Sequence, residues 1–151
     1  MSPRFTHPPV RDEPPAAEFI VRPIGWVESP LVDPHTAPKQ GDEGAPDAWL
    51  IFAPEVAAGL RNLTPGADIL VLTWLHKAGR DVLVVHPRSD TTRPEQGVFS
   101  TRSPDRPNPI GLHRVTIAAI EETRVLVSKL EAVNGTPILD IKPVLGSIAE
   151  R

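Results

Sequence analysis

A chain of 151 residues with 19 prolines, ten glycines and no cysteine has room for one domain with its own core, and it excludes a disulfide framework or a thiolate metal site. Its five histidines (His7, His35, His76, His86 and His113) show no close ligand spacing, so no metal is expected. The net charge of −3 argues against generic adhesion to nucleic acid, yet the stretch from His76 to Arg114 nets +3 and leaves −6 for the rest, a distribution that suits one focused anionic ligand better than a broad polyanion footprint.

Residues 1–17 are proline-rich, holding Pro3, Pro8, Pro9, Pro14 and Pro15, and read as a disordered arm before a domain over 18–147. They show no signal-peptide core, and no apolar run approaches the ~20 residues a membrane helix needs. No membrane is therefore expected as a partner, and the cytoplasm is the expected compartment.

Phe19 to Val27 reads as a first strand. Glu28 to Pro46 carries four prolines, two glycines and several acids, a long loop of the kind that usually serves as a lid or binding segment. Ala48 to Phe52 reads as a strand. Pro54 to Leu63 places Val56, Leu60 and Leu63 at helical spacing, with Pro54 suited to a first turn. Ala67 to Leu75 is short, apolar and β-branched enough to be a buried strand, and Asp81 to His86 is another. Val98 to Thr101 leads into a proline-rich loop. Leu112 to Ile120 alternates, with Val115, Ile117 and Ala119 on one face. Arg124 to Val133 follows as a strand, Asn134-Gly135 reads as a hairpin turn, and Ile138 to Lys142 is the returning strand, ended by Pro143. The pattern is mainly β: a closed or strongly curved antiparallel sheet with one or two short helices. Neither the dinucleotide glycine fingerprint nor the P-loop motif is present, so a doubly wound nucleotide-binding sheet is not expected.

Four segments carry candidate chemistry. Thr101 to Leu112, TRSPDRPNPIGL, holds three prolines that fix the backbone beneath Arg102, Arg106 and Asn108. It is either a stiff site for an anionic or planar ligand, since arginine forks pair bidentately with carboxylate or phosphate, or an arginine-decorated surface turn. Asn108 can read a base edge or close a local turn. At the end of the apolar strand, His76 is a ligand contact or a satisfied structural histidine, with Lys77 and Arg80 making that end positive. Asp140 and Lys142 lie two apart on a strand and face one side, as a mutually neutralising pair or as pocket lining. Pro38-Lys39-Gln40 in the long loop says little by itself.

Gly97 to Leu112, GVFSTRSPDRPNPIGL, closely resembles the signature of the TsaA-like (TrmO) family. Leu130 to Pro143, containing NGTPILDIKP, resembles that family's second signature. The resemblance runs from about Pro23 to Val144. It implies a single β-barrel unrelated to the usual methyltransferase sheet, a homodimer, S-adenosylmethionine (SAM) as cofactor, and N6-methylation of threonylcarbamoyladenosine beside the tRNA anticodon. Carried over by position, the implied cofactor contacts are Pro38, Lys39 and Gln40; His76 and Lys77; Arg102 and Leu112; and Ala132, Val133, Asn134 and Gly135. Arg106, Asn108 and Lys142 are then expected to face the substrate, and Asp140 is the candidate to accept or orient the acceptor's proton. The chain departs from the family pattern at Asn134, where Asp is usual, at Val144, where Tyr is usual, and at Lys39, where Arg is usual. These differences keep two other readings open: methylation of a small molecule, and a non-catalytic SAM-binding module.

Overall fold

The computed structural model describes residues 17–34, 37–38, 44–87 and 90–146. The N-terminal arm expected over residues 1–17 lies outside these, apart from Ala17, as do Lys39 and Gln40.

The fold follows from period-two burial. β1 (Gly25–Glu28) buries Gly25 and Val27 and exposes Trp26 and Glu28. β2 (Ala48–Phe52) buries Ala48, Leu50 and Phe52, and β3 (Asp68–Trp74) buries Ile69, Val71 and Thr73. β6 (Ile110–Glu121) buries Gly111, His113, Val115 and Ile117. β7 (Arg124–Val127) and β8 (Pro137–Pro143) add Val125, Val127 and Ile138. Such alternation gives each strand one apolar face. These six strands pair antiparallel in the order β1-β2-β7-β6-β3-β8, and β8 returns to β1 through Gly25 and Ile138, so the sheet closes around those side chains. Leu130 and Ala132, from the irregular segment after β7, join the same core. A separate two-stranded ribbon pairs β4 (Val84–Val85) with β5 (Gln96–Gly97).

The structure revises several element assignments. The first strand begins at Gly25, and Phe19, Ile20 and Val21 are exposed. Pro54–Leu60 is a 3-10 helix that buries none of its residues and has no side-chain cap. Val56, Leu60 and Leu63 only lean against the core, so little packing favours a full α-helix. The strand expected over 81–86 is two residues long.

The hairpin expected at Asn134-Gly135 is not one. β7 stops at Val127 and pairs with β2 and β6, whereas β8 pairs with β1 and β3. Asn134 and Gly135 instead form a tight turn closed by Thr136 N–H donating to the Val133 carbonyl at 3.2 Å. Gly135 has φ +82° and Asn134 has no positive φ. One left-handed residue at the third position is the signature of a type II turn, whereas the hairpin type I′ needs two.

Candidate functional site

The groove arises where two strands part. β6 pairs with β3 over residues 110–116 and with β7 only from Ile117 onward. The backbone of β6 before Ile117 therefore lacks a strand neighbour on one side. The irregular segment 128–136 crosses that gap, with Ser128 N–H donating to the Thr116 carbonyl at 3.0 Å and Thr116 N–H donating to Ser128 Oγ at 3.2 Å. The proline loop and the β4-β5 ribbon form the opposite wall. The resulting open groove has a volume of about 1880 Å³, larger than the 300–1,000 Å³ typical of a site for one small ligand.

The proline loop is held by side chain-to-backbone bonds as well as by its prolines. Thr101 Oγ1 donates to the Val98 carbonyl at 2.9 Å and accepts from Ser103 N–H at 3.1 Å. Asp105 Oδ1 accepts from Gly79 N–H at 2.8 Å, and Arg106 N–H donates to the Gly79 carbonyl at 3.1 Å. The two arginines then diverge. Arg106 turns inward, and its Nη2 donates to the Val98 carbonyl and, at 3.1 Å, to the Thr101 carbonyl. It clamps the 3-10 turn Val98–Ser100 to the loop. Arg102 is exposed, lines the groove and makes no hydrogen bond or ion pair among the described residues.

The two residues of this loop expected to face the substrate are placed differently. Arg106 lines the groove, and its Nη2 is engaged by two backbone carbonyls, so it braces the loop. Asn108 does not line the groove; its Oδ1 accepts from Arg80 Nη2 at 3.0 Å, while Arg80 Nε donates to the Pro107 carbonyl at 2.8 Å. The Arg80 guanidinium also lies 5.1 Å from the Trp74 ring centroid. Asn108 is thus part of a polar buttress behind the loop.

β3 delivers the next pair. Leu75 N–H donates to the Pro109 carbonyl at 2.8 Å, which ties the strand end to the proline loop. His76 and Lys77 follow immediately, both exposed and both on the groove. Lys77 Nζ donates to the Val32 carbonyl at 3.1 Å and so steadies the loop that carries Pro34, Ala37 and Pro38 along the same groove.

The second signature divides. Ala132 and Val133 are buried and line the groove. Asn134 and Gly135 do not line it. Asn134 Oδ1 accepts from Ser29 N–H at 3.0 Å, and Gly135 N–H donates to the Val27 carbonyl at 2.7 Å, so they fasten the turn to the segment after β1. Asp140 and Lys142 lie further along β8, opposite Leu72 and Leu70. Their side chains meet at 3.1 Å, half exposed, and neither lines the groove. Asp140 also accepts from Ile141 N–H at 2.9 Å. The neutralising-pair alternative describes them, and the structure places Asp140 away from the groove.

The groove also holds polar groups that sequence reasoning did not single out. Thr73, His113 and Glu131 form a chain beneath it: Glu131 Oε1 lies 2.5 Å from His113 Nδ1, and His113 Nε2 lies 2.7 Å from Thr73 Oγ1. His113 is 4% exposed and the Glu131 side chain 16%. Carboxylate oxygens accept, so Nδ1 carries the proton, and in the neutral ring Nε2 accepts from the Thr73 hydroxyl. A Cβ on Gly111 would sit 2.3 Å from Thr73 Oγ1 and 2.6 Å from His113 Nε2, so glycine there makes room for the chain. The one available signal was His113 falling on the inward phase of β6; Glu131 lies in an irregular segment with no periodicity to mark it. Asp68, at the far end of the groove, accepts from Thr116 Oγ1 at 2.6 Å and from Arg114 Nη2 at 3.2 Å. The Thr116 hydroxyl first, then Arg114, hold its carboxyl below the ordinary aspartate value.

The donor set suits a ligand with an anionic end and an apolar body. Arg102 and Lys77 supply cations, while Leu75, Leu112, Ala132 and Val133 supply apolar wall. Among the described residues there is no cluster of three or more metal-ligating side chains, and no helix is long and apolar enough to cross a membrane.

Three relatives place this groove in context. An S-adenosyl-L-methionine-binding protein of Archaeoglobus fulgidus is 44% identical over 124 residues, covering 82% of this chain and 88% of its own. A probable S-adenosyl-L-methionine-binding protein of Methanothermobacter thermautotrophicus is 41% identical, covering 83% of this chain and 90% of its own. The crystal structure of TrmO from Pseudomonas aeruginosa superposes with a TM-score of 0.68 at 27% identity over 89% of this chain, which spans only 60% of that longer protein. The family model for the tRNA-methyltransferase O N-terminal domain matches residues 26–149, and the chain belongs to that family.

Proposed function

We propose that the chain binds SAM in this groove and transfers its methyl group to N6 of threonylcarbamoyladenosine in tRNA. The observation that carries the reading is convergence: Pro38, His76, Lys77, Arg102, Leu112, Ala132 and Val133 come from four separate segments and line one groove. Membership of the family and the SAM-binding designations of its relatives support the cofactor. A tRNA acceptor rests on the tRNA-methyltransferase designation of the family model, and threonylcarbamoyladenosine on the resemblance of the two signature segments.

When bound, SAM supplies an already activated methyl group on a sulfonium. The chain's task is then mainly to orient two reactants, which can supply roughly 7–11 kcal/mol of the barrier reduction. Arg102 and Lys77 would repel a sulfonium, so they belong at the methionine carboxylate or at an RNA phosphate. Arg106 and the Arg80–Asn108 buttress keep Arg102's loop in place. A homodimer accompanies this reading: Ile110 and Leu112, which also line the groove, stand 45% and 44% exposed beside half-buried Leu72, an apolar surface where a second copy would lie against the groove.

The test is direct. The protein incubated with SAM and tRNA bearing threonylcarbamoyladenosine is expected to yield the N6-methylated nucleoside by mass spectrometry. Titration calorimetry is expected to detect SAM binding by wild type and a loss of tenfold or more for Arg102→Ala. Absence of SAM binding by wild type overturns the whole reading. Binding without a tRNA product, but with turnover of the free nucleoside, favours the small-molecule alternative.

A further inference from the structure

We infer that Glu131 is the general base of the groove, held in place by His113; this rests on the methyl-transfer reading. The first ground is geometry. Glu131 lines the groove, its side chain is 16% exposed, and one oxygen is fixed 2.5 Å from His113 Nδ1. Its other oxygen has no partner among the described residues. A carboxylate with one oxygen anchored and one free presents a lone pair in a defined direction, as a base must.

The second ground is what surrounds it. An acid–histidine–hydroxyl chain with these spacings is also the layout of a nucleophilic triad. Thr73, however, is fully buried and does not line the groove. Its hydroxyl cannot reach a reactant, so the chain runs the other way. Thr73 and the close approach at Gly111 fix the imidazole ring, the ring fixes the carboxylate, and the carboxylate faces the groove. Of the other acids on the groove, Asp68 has both oxygens occupied, by Thr116 and Arg114, and Asp105, with one oxygen on the Gly79 N–H, belongs to the proline loop and not to the Ala132–Val133 wall. Glu131 also directly precedes Ala132 and Val133, and His113 directly follows Leu112, so the pair sits among the expected cofactor contacts.

The third ground is chemical need. The acceptor nitrogen of a carbamoylated adenine is a weak nucleophile that carries a proton. As its lone pair forms the N–C bond, the C–S bond breaks and its electron pair stays on sulfur, leaving S-adenosylhomocysteine. The N–H proton passes to the free oxygen of Glu131, which returns it to water after product release. His113 takes no proton in this scheme and acts as a positioning residue.

Glu131→Gln keeps a carbonyl oxygen for His113 Nδ1–H and removes the base. With SAM and threonylcarbamoyladenosine-bearing tRNA, kcat is expected to fall 10²–10⁴-fold, while calorimetric affinities for SAM and for tRNA stay within about threefold. Glu131→Asp, shorter by one methylene, should recover part of the rate. Independently of turnover, the His113 Nδ1–H proton resonance of the wild type should lie far downfield and move upfield in Glu131→Gln. Wild-type kcat in Glu131→Gln would overturn the assignment while leaving methyl transfer intact. Loss of SAM binding in that variant would also overturn it, making Glu131 a cofactor contact. A wild-type protein that binds SAM and methylates neither tRNA nor nucleoside would remove the methyl-transfer reading and this inference with it.

Discussion

The two signature segments of the chain meet the groove in different ways. Thr101 to Leu112 holds its shape through prolines and through Thr101, Asp105 and Arg106, each bonded to nearby backbone. Along it, one arginine braces and the other faces the ligand side. Leu130 to Pro143 leaves the groove and enters the sheet within a few residues, because a turn at Asn134-Gly135 feeds it into β8. Its first half lines the groove and its second half is the strand that pairs with β1 and β3 to close the sheet. A signature in sequence thus marks a site in one segment, and partly a site and partly a fold in the other.

The sharpest way to break this comparison is at Gly111, where the proline loop runs into β6. Gly111→Ala forces a Cβ against Thr73 and His113 and is expected to destabilise the protein by about 3 kcal/mol in a denaturant melt, in the overpacking range. Next in size is the arginine pair. Arg106→Ala leaves the Val98 and Thr101 carbonyls without their charged donor and should lower stability by about 2 kcal/mol. Arg102→Ala should change stability by less than about 0.5 kcal/mol while weakening SAM binding tenfold or more. If both variants lost affinity and stability equally, the division of labour within the loop would fail.

Smaller effects belong to the exposed pairs. Asp140→Asn removes a half-exposed partner of Lys142 and should alter stability by no more than about 1 kcal/mol, with SAM affinity unchanged in calorimetry. A large loss of binding would bring Asp140 back to the site. Asp68 tests the far end of the groove. Its folded carboxyl is held below 3.8, by Thr116 and then Arg114. The contribution is therefore present above the unfolded value and is lost as pH falls through the lower folded value. Thermal melts between pH 5 and about pH 2 should show a shallower acid limb for Asp68→Asn than for wild type.

Much of the wall was readable from the chain. β2, β3, β6 and β8 lie where alternation and β-branched runs put them, because strands buried on one face repeat every two residues. The site was legible where a stiff loop or a strand end carried charge: Arg102, His76 and Lys77 all line the groove. Three things were not legible. Arg106 and Asn108 carry the same side chains whether they face a ligand or a carbonyl, and only the path of the loop decides. Asn134-Gly135 favours a tight turn whatever follows it, so its sequence does not reveal that β7 had already ended. Glu131 and His113 lie 18 residues apart, and nothing local announces their meeting.

The early end of β7 has a further consequence. A strand whose hydrogen-bonding groups lack a neighbour can recruit a strand from another molecule. At Thr116 that hazard is met by Ser128, whose N–H donates to the Thr116 carbonyl and whose Oγ accepts from the Thr116 N–H. The stretch that holds Glu131, Ala132 and Val133 therefore also covers part of this edge. A substitution that frees it to widen the groove would also uncover unpaired backbone of β6.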